Sequence, residues 1–213
     1  MMSSVNSEFG DSVPPVVSDK REMNWLSRTF ILFGIIGLLA SVALLVERVK
    51  VLQNPTTKPS CDINPFISCG ALFDRWQASL LGFPNAILGV AGFVVPIVIG
   101  VGILAGARFS AWFWRIATIG FFVAWIFVSW LFFQSVFSIG VLCPYCLVVW
   151  SAAIPMWWTV LVATTSLGFW GAKIRNLVAG WGIAYLPALI ILNFGVIIIS
   201  IFQQFGERIL DSF

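Results

Sequence analysis

Apolar residues in this chain run on continuously instead of alternating, and the polar positions are gathered into the gaps between the runs. Five runs approach or reach the roughly 18 to 20 apolar residues that one crossing of a hydrocarbon core requires. They centre on residues 29–46, 86–105, 116–133, 147–164 and 183–202, and predict five transmembrane helices. Pro96, Pro155 and Pro187 fall within three of them. Membrane helices tolerate this because neighbouring groups re-satisfy the freed backbone. The first run is too long for a signal-peptide core, and no small-residue cleavage site follows it before Glu47, Arg48 and Lys50, so it is expected to stay as an uncleaved anchor.

Composition agrees with the pattern. The chain is 60% hydrophobic and 10% charged, with a mean hydropathy of +0.98, against roughly 45 to 50% apolar and 25% charged in soluble domains. A soluble fold could not hide that much apolar surface. The net charge of +3 is spread over loops flanking the apolar runs, which speaks against a nucleic-acid footprint. With the N-terminus cytoplasmic, the inner side would hold Lys20, Arg21, Arg28, Arg108, Arg115, Lys173 and Arg175, and the outer side Arg48, Lys50, Lys58, Arg75 and Arg208. The inner excess of basic residues favours that orientation. Residues 1–24, rich in Ser and Pro with mixed charge, are expected to form a disordered cytoplasmic tail.

Four cysteines fall in two close pairs. Cys61 and Cys69 lie in the long polar loop, about residues 47–82, between the first two spans, and Cys143 and Cys146 open the fourth span in "VLCPYCLVVW". Two crossings separate the loops, so both pairs face one compartment whatever the orientation. With the N-terminus inside, that compartment is exoplasmic, where disulfides persist. A C-x-x-C at a helix start sets its first sulfur beside unpaired backbone N–H groups and the positive end of the helix dipole, which favours thiolate. Thiol pKa values in such places fall to roughly 3.5 to 7.5 from about 8.5. Pro144 suits a first helical position, where its missing N–H is not needed. Cys146 would lie deeper, toward the apolar interior, where it can meet a lipid-soluble electron carrier.

A zinc site is the plainer alternative for C-x-x-C, but zinc prefers four N or S ligands and the chain has no histidine; no metal is expected. For Cys61 and Cys69 the alternative is a disulfide that simply staples an outer loop, as in four-helix junction proteins. Those proteins lack a thiol pair opening a later span on the same side. The stretch "ALFDRWQASLLG" carries Leu72, Phe73, Trp76, Leu80 and Leu81 near helical spacing. It predicts a short interfacial helix with its apolar face down and Asp74 and Arg75 up, either a lid or a plain surface anchor. Asn85 reads locally as a helix N-cap beside Pro84. Gly34, Gly37, Gly89 and Gly92 are expected to let helices approach closely.

A first-loop cysteine pair with seven residues between, a C-x-x-C opening the fourth span and "GFPNAILG" at the start of the second together resemble the vitamin K epoxide reductase family. "CDINPFISCGALFDRWQASLLGFPNAILG" is most similar to its bacterial, actinobacterial-type members. The resemblance covers about residues 25–170, leaving residues 171–213, with the fifth span and a short exoplasmic C-terminus, outside the family core. It implies an all-α integral membrane protein: a four-helix bundle around a quinone pocket plus one further helix. It implies electrons passing from an exported thioredoxin-like (DsbA-like) partner through Cys61 and Cys69 to Cys143 and Cys146, and on to a quinone of the menaquinone or ubiquinone class. By position Cys61 would meet the partner, Cys69 relay to Cys143, and Cys146 contact the ring. Asn85 would hydrogen-bond a quinone oxygen and Phe73 line the pocket. Trp150 stands where vertebrate members carry a tyrosine, and its indole N–H donates from a larger ring. No thioredoxin-like domain follows the fourth span, so the partner is expected to be a separate chain. The implied product is disulfide bonds in exported proteins. The alternatives are a thiol-fuelled quinone or quinone-epoxide reductase, and a scaffold or transporter with structural disulfides.

Overall fold

The computed structural model describes residues 20–178 and 182–210. Seven α-helices follow in chain order: α1 Lys20–Gln53, α2 Gly70–Phe73, α3 Asn85–Leu104, α4 Ala111–Phe133, α5 Pro144–Ser166, α6 Ala172–Val178 and α7 Gly182–Leu210. Five carry segments long and apolar enough to cross a bilayer: Met23–Gln53, Asn85–Leu104, Ala111–Ile139, Pro144–Ser166 and Ala184–Gly206. Each expected span lies on one of them. The prolines at 96, 155 and 187 sit inside continuous helices. Residues 20–24, assigned to the tail by composition, are already helical in α1, and residues 1–19 of that tail lie outside the described residues.

α1 packs most extensively on α3 and then on α5, while α4 packs on α5. Gly34, Gly37 and Gly89 lie in the α1–α3 seam: a methyl group there would collide with Ile97, the Phe93 ring and Ser41 respectively. Gly92 differs from its expected role, because a methyl group there would meet nothing within 4 Å; it borders open space. The bundle core gathers Leu26, Phe30, Phe93, Trp114, Trp157 and Val160 toward the end of the bundle away from the cysteines. α3 and α4 stay apart, and the gap between them becomes a cavity. α7 lies outside this bundle, packed on α5 and on the segment that follows α4. Trp125 Nε1 on α4 donates to Asn193 Oδ1 on α7 at 3.4 Å, and Phe205 is buried beside Phe66 of the outer loop.

Two irregular segments set the cysteine-bearing end of the bundle, called the outer end for its place in the chain's fold and not for a side of the membrane. Past Phe133 the helix widens into a π-helical turn, Gln134–Ile139, which Gly140 ends in the left-handed region at φ 72°. Ser135 Oγ donates to the carbonyl of Val141 and fastens that exit. The second segment is the region 70–79, which is not the single amphipathic helix its spacing predicts. α2 stops after one turn, Arg75 is extended (ψ 139°), and a 3-10 turn follows at Trp76–Ser79. The break reverses the expected faces: Trp76 is 64% exposed while Gln77 is buried.

Candidate redox site

Backbone pairing positions the two cysteine pairs against each other. Ser68 N donates to Leu142 O at 3.0 Å and Leu142 N to Phe66 O at 2.8 Å. This short bridge stitches the loop to Leu142, the residue before the N-cap of α5. Cys69 and Cys143 each follow a stitched residue, and their Sγ atoms lie 3.5 Å apart. The site is built from segments 74 residues apart in sequence.

Cys61 and Cys69 form a disulfide, with Cα atoms 5.7 Å apart. Acidic side chains anchor its two flanks. Glu47 on α1 accepts from Ser60 N at 3.1 Å and from Lys50 Nζ at 2.9 Å. Asp62 Oδ1 accepts from Ser68 Oγ at 2.8 Å, Cys69 N at 2.8 Å and Gly70 N at 2.9 Å. A carboxylate taking three donors this short makes charge-assisted bonds, which are roughly twice as strong as neutral ones. Neither Glu47 nor Asp62 is distinguished by sequence spacing. The disulfide is enclosed: Cys61 is 4% exposed and Cys69 0%. Phe73, Leu44, Val51, Leu72 and Tyr145 pack around it.

Cys143 and Cys146 are free thiols. Cys143 is the N-cap of α5, extended at φ −103° and ψ 121°, with Pro144 next in the first turn as its fixed φ prefers. Its Sγ accepts from Cys146 N at 3.3 Å, taking one of the orphan donors of the helix start. The Cys146 thiol, the largest influence, together with the backbone N–H groups of Cys146 and Tyr145, holds the Cys143 thiol below its ordinary pKa against the opposing effects of burial and the Asp62 charge. Cys143 is 1% exposed and abuts the outer disulfide, whereas Cys146 faces a cavity.

That cavity measures about 810 Å³. It runs along the gap between α3 and α4, from Cys69, Cys143 and Cys146 at the outer end to Phe113 and Ile116 deep in the bundle. Its walls are almost wholly apolar. Phe73 is buried at its outer end with the Arg48 guanidinium 5.2 Å above its ring. Arg48 also pairs with Asp74 at 3.4 Å, tying α1 to the lid segment. Asn85 lines the cavity but is not an N-cap: Pro84 holds that position, and Asn85 is the first residue of α3. Its Nδ2 donates to Gln77 O at 2.6 Å, and its Oδ1 accepts from Leu80 N at 3.3 Å, so this amide pins the 3-10 turn over the cavity. Trp150 is buried in the cavity wall with its ring edge-on to Phe132 at 4.8 Å, and it also borders a smaller cavity of about 340 Å³ against α7.

All seven residues singled out from sequence therefore converge at one end of the bundle. Among the described residues no cluster of His, Cys, Asp or Glu is able to hold a metal ion. The site instead offers two sulfur couples in contact, and an apolar slot that reaches the inner couple. A family model described as the vitamin K epoxide reductase family matches residues 28–161. No curated protein matches the chain.

Proposed function

The chain belongs to the vitamin K epoxide reductase family, membrane oxidoreductases that couple thiols to a quinone, and from that premise we propose that it carries electrons from an exported thioredoxin-like dithiol protein to a membrane quinone, generating disulfides outside the cytoplasm. The observation that carries this reading is the 3.5 Å approach of Cys69 Sγ to Cys143 Sγ beside the apolar cavity. Thiol–disulfide exchange needs a thiolate in contact with a disulfide sulfur, so electrons pass only between couples that touch.

The residues present suit a quinone. A flat apolar ring with a long hydrocarbon tail fits a slot walled by α3 and α4, and the amides of Gln77, Asn85 and Gln134 are among the few polar side chains that line it. When bound, the quinone accepts two electrons and two protons. Everything else is work for the chain. The partner's thiolate attacks Cys61 and breaks the Cys61–Cys69 bond; the partner's second thiol then attacks its own half of the mixed disulfide, leaves oxidised, and returns Cys61 as a thiol. Cys69 attacks Cys143 of an oxidised inner pair, releasing Cys146, and Cys61 then closes on Cys69. The outer pair is oxidised again and the inner pair holds the electrons. Outer disulfide and inner dithiol, the arrangement described above, correspond to this loaded state. Cys146 lies toward the cavity, and closure of Cys143 onto it restores the inner disulfide as the electrons leave.

Because Cys61 is 4% exposed, partner attack requires the segment around residues 54–62 to swing outward. The proposed topology places the N-terminus in the cytoplasm and all four cysteines on the exoplasmic face. Purified protein with a reduced thioredoxin-like donor should convert quinone to quinol in step with donor oxidation. A donor that stays reduced in the presence of excess quinone would overturn the proposal. A donor whose second cysteine is replaced by Ser should be held on Cys61 as a mixed disulfide, because the thiol that would release it is gone.

A further inference from the structure

A buried amide in the cavity wall has an oxygen that no donor satisfies. Gln77, 8% exposed, belongs to the 3-10 turn that covers the slot. Its Nε2 donates to Gln134 Oε1 at 3.3 Å, joining the lid to the first residue of the π-helical turn across 57 residues of sequence. Its Oε1 is buried without a hydrogen-bond partner. Both glutamines line the slot. A buried amide oxygen facing an apolar space without a donor is costly, and native proteins keep few of them unless a ligand or water completes the set. π-helical turns inside longer helices also concentrate at functional sites, because the extra residue re-aims side chains.

Resting on the quinone reading, the geometry points to the Gln77–Gln134 amide pair as a second polar anchor for the ring, the first being Asn85. With its oxygen engaged by Gln77, Gln134 keeps its Nε2 donors for a ring carbonyl. Gln77 Oε1 is an acceptor, which a carbonyl cannot use and a ring hydroxyl can. The pair therefore offers a donor to the oxidised ring and an acceptor to the reduced one. Asn85, whose Nδ2 holds Gln77 by its backbone carbonyl, positions this anchor.

Equilibrium binding to the full chain in detergent, read by quenching of tryptophan fluorescence with all four cysteines oxidised, separates this role from a structural one. The probes are 2,3-dimethyl-1,4-naphthoquinone and 1-tetralone, a similar bicycle with a single carbonyl. Gln134→Met keeps the side-chain length and removes the amide. It should weaken the quinone about tenfold, equivalent to 1.4 kcal/mol, and leave the one-carbonyl probe within about twofold, because that probe satisfies itself at the other anchor. Gln77→Met, which takes away Gln134's partner and an acceptor that the oxidised ring does not use, should give the same selective loss to a smaller extent, and serves if Gln134→Met does not fold. Equal losses for both probes, or no loss for the quinone, overturn the assignment. Wild-type protein that binds neither probe overturns the quinone reading itself, and this anchor with it.

Discussion

The two cysteine pairs of the proposed relay occupy opposite mechanical situations. Cys61 and Cys69 sit on a loop whose hold on the bundle is a backbone bridge at residues 66–68 and the carboxylates of Glu47 and Asp62. Cys143 and Cys146 sit on the first turn of a 23-residue helix, where backbone and helix dipole set their positions. The loop pair reaches outward only by breaking a few hydrogen bonds, and such polar ties are individually modest, roughly 0.5 to 3 kcal/mol each. The helix pair cannot travel without unwinding a transmembrane segment. A relay between an aqueous partner and a membrane-bound acceptor needs this asymmetry: one couple that commutes and one that stays beside the cavity.

The contrast can be broken most severely at the fixed pair. Cys143→Ser or Cys146→Ser should drop thiol-driven quinone reduction to the uncatalysed background, measured by quinol absorbance, because either change leaves the inner pair unable to cycle between dithiol and disulfide. At the loop pair, Asp62→Ala removes the acceptor that aligns Cys69 and should slow turnover by up to about 10²-fold, the loss that a displacement near 1 Å can cause. Asp62→Asn, which keeps an acceptor oxygen, should lose clearly less. Parallel assays of these variants would show whether alignment, and not charge, is what Asp62 supplies.

A gentler test uses pH. The Cys143 thiol titrates below its ordinary range, chiefly because the Cys146 thiol hydrogen-bonds its thiolate. Alkylation of Cys143 by a small reagent should therefore rise with pH through a midpoint below that of an ordinary thiol. Cys146→Ala removes the largest stabilising partner of the thiolate, so the midpoint should move upward, and the Cys143 rate at neutral pH should fall. Smallest of all, Phe205→Ala empties a buried contact between α7 and the outer loop. It should lower the thermal midpoint while leaving turnover within about threefold, since no described residue of α7 lines the larger cavity.

The spans were legible because a lipid crossing demands about 20 apolar residues in a row, a pattern no neighbour can disguise. Pro144 and the C-x-x-C likewise announced a helix start, since the proline, cap and dipole requirements are all local. The single interfacial helix is not found because helical spacing in residues 71–81 says nothing of the extended Arg75 that divides it, and that division sends Gln77 inward and leaves Trp76 exposed. Asn85 was read as a cap from its proline neighbour, but its amide is claimed by Gln77 and Leu80, parts of a turn packed back over α3. Asp62, Glu47 and the Gln77–Gln134 pair were invisible for a common reason: their partners are fixed by the tertiary fold, and a lone polar residue in a loop carries no signature of what it will face.

The most direct measurement of the relay leaves one sulfur of each pair. In a Cys61→Ser, Cys146→Ser double variant, Cys69 and Cys143 have lost their own partners and keep only each other, 3.5 Å apart in the native fold. Under mild oxidation in membranes, peptide mapping should find an intramolecular Cys69–Cys143 disulfide in nearly every molecule. Two thiols that stay free, or that pair only between molecules, would contradict the transfer of electrons through this contact.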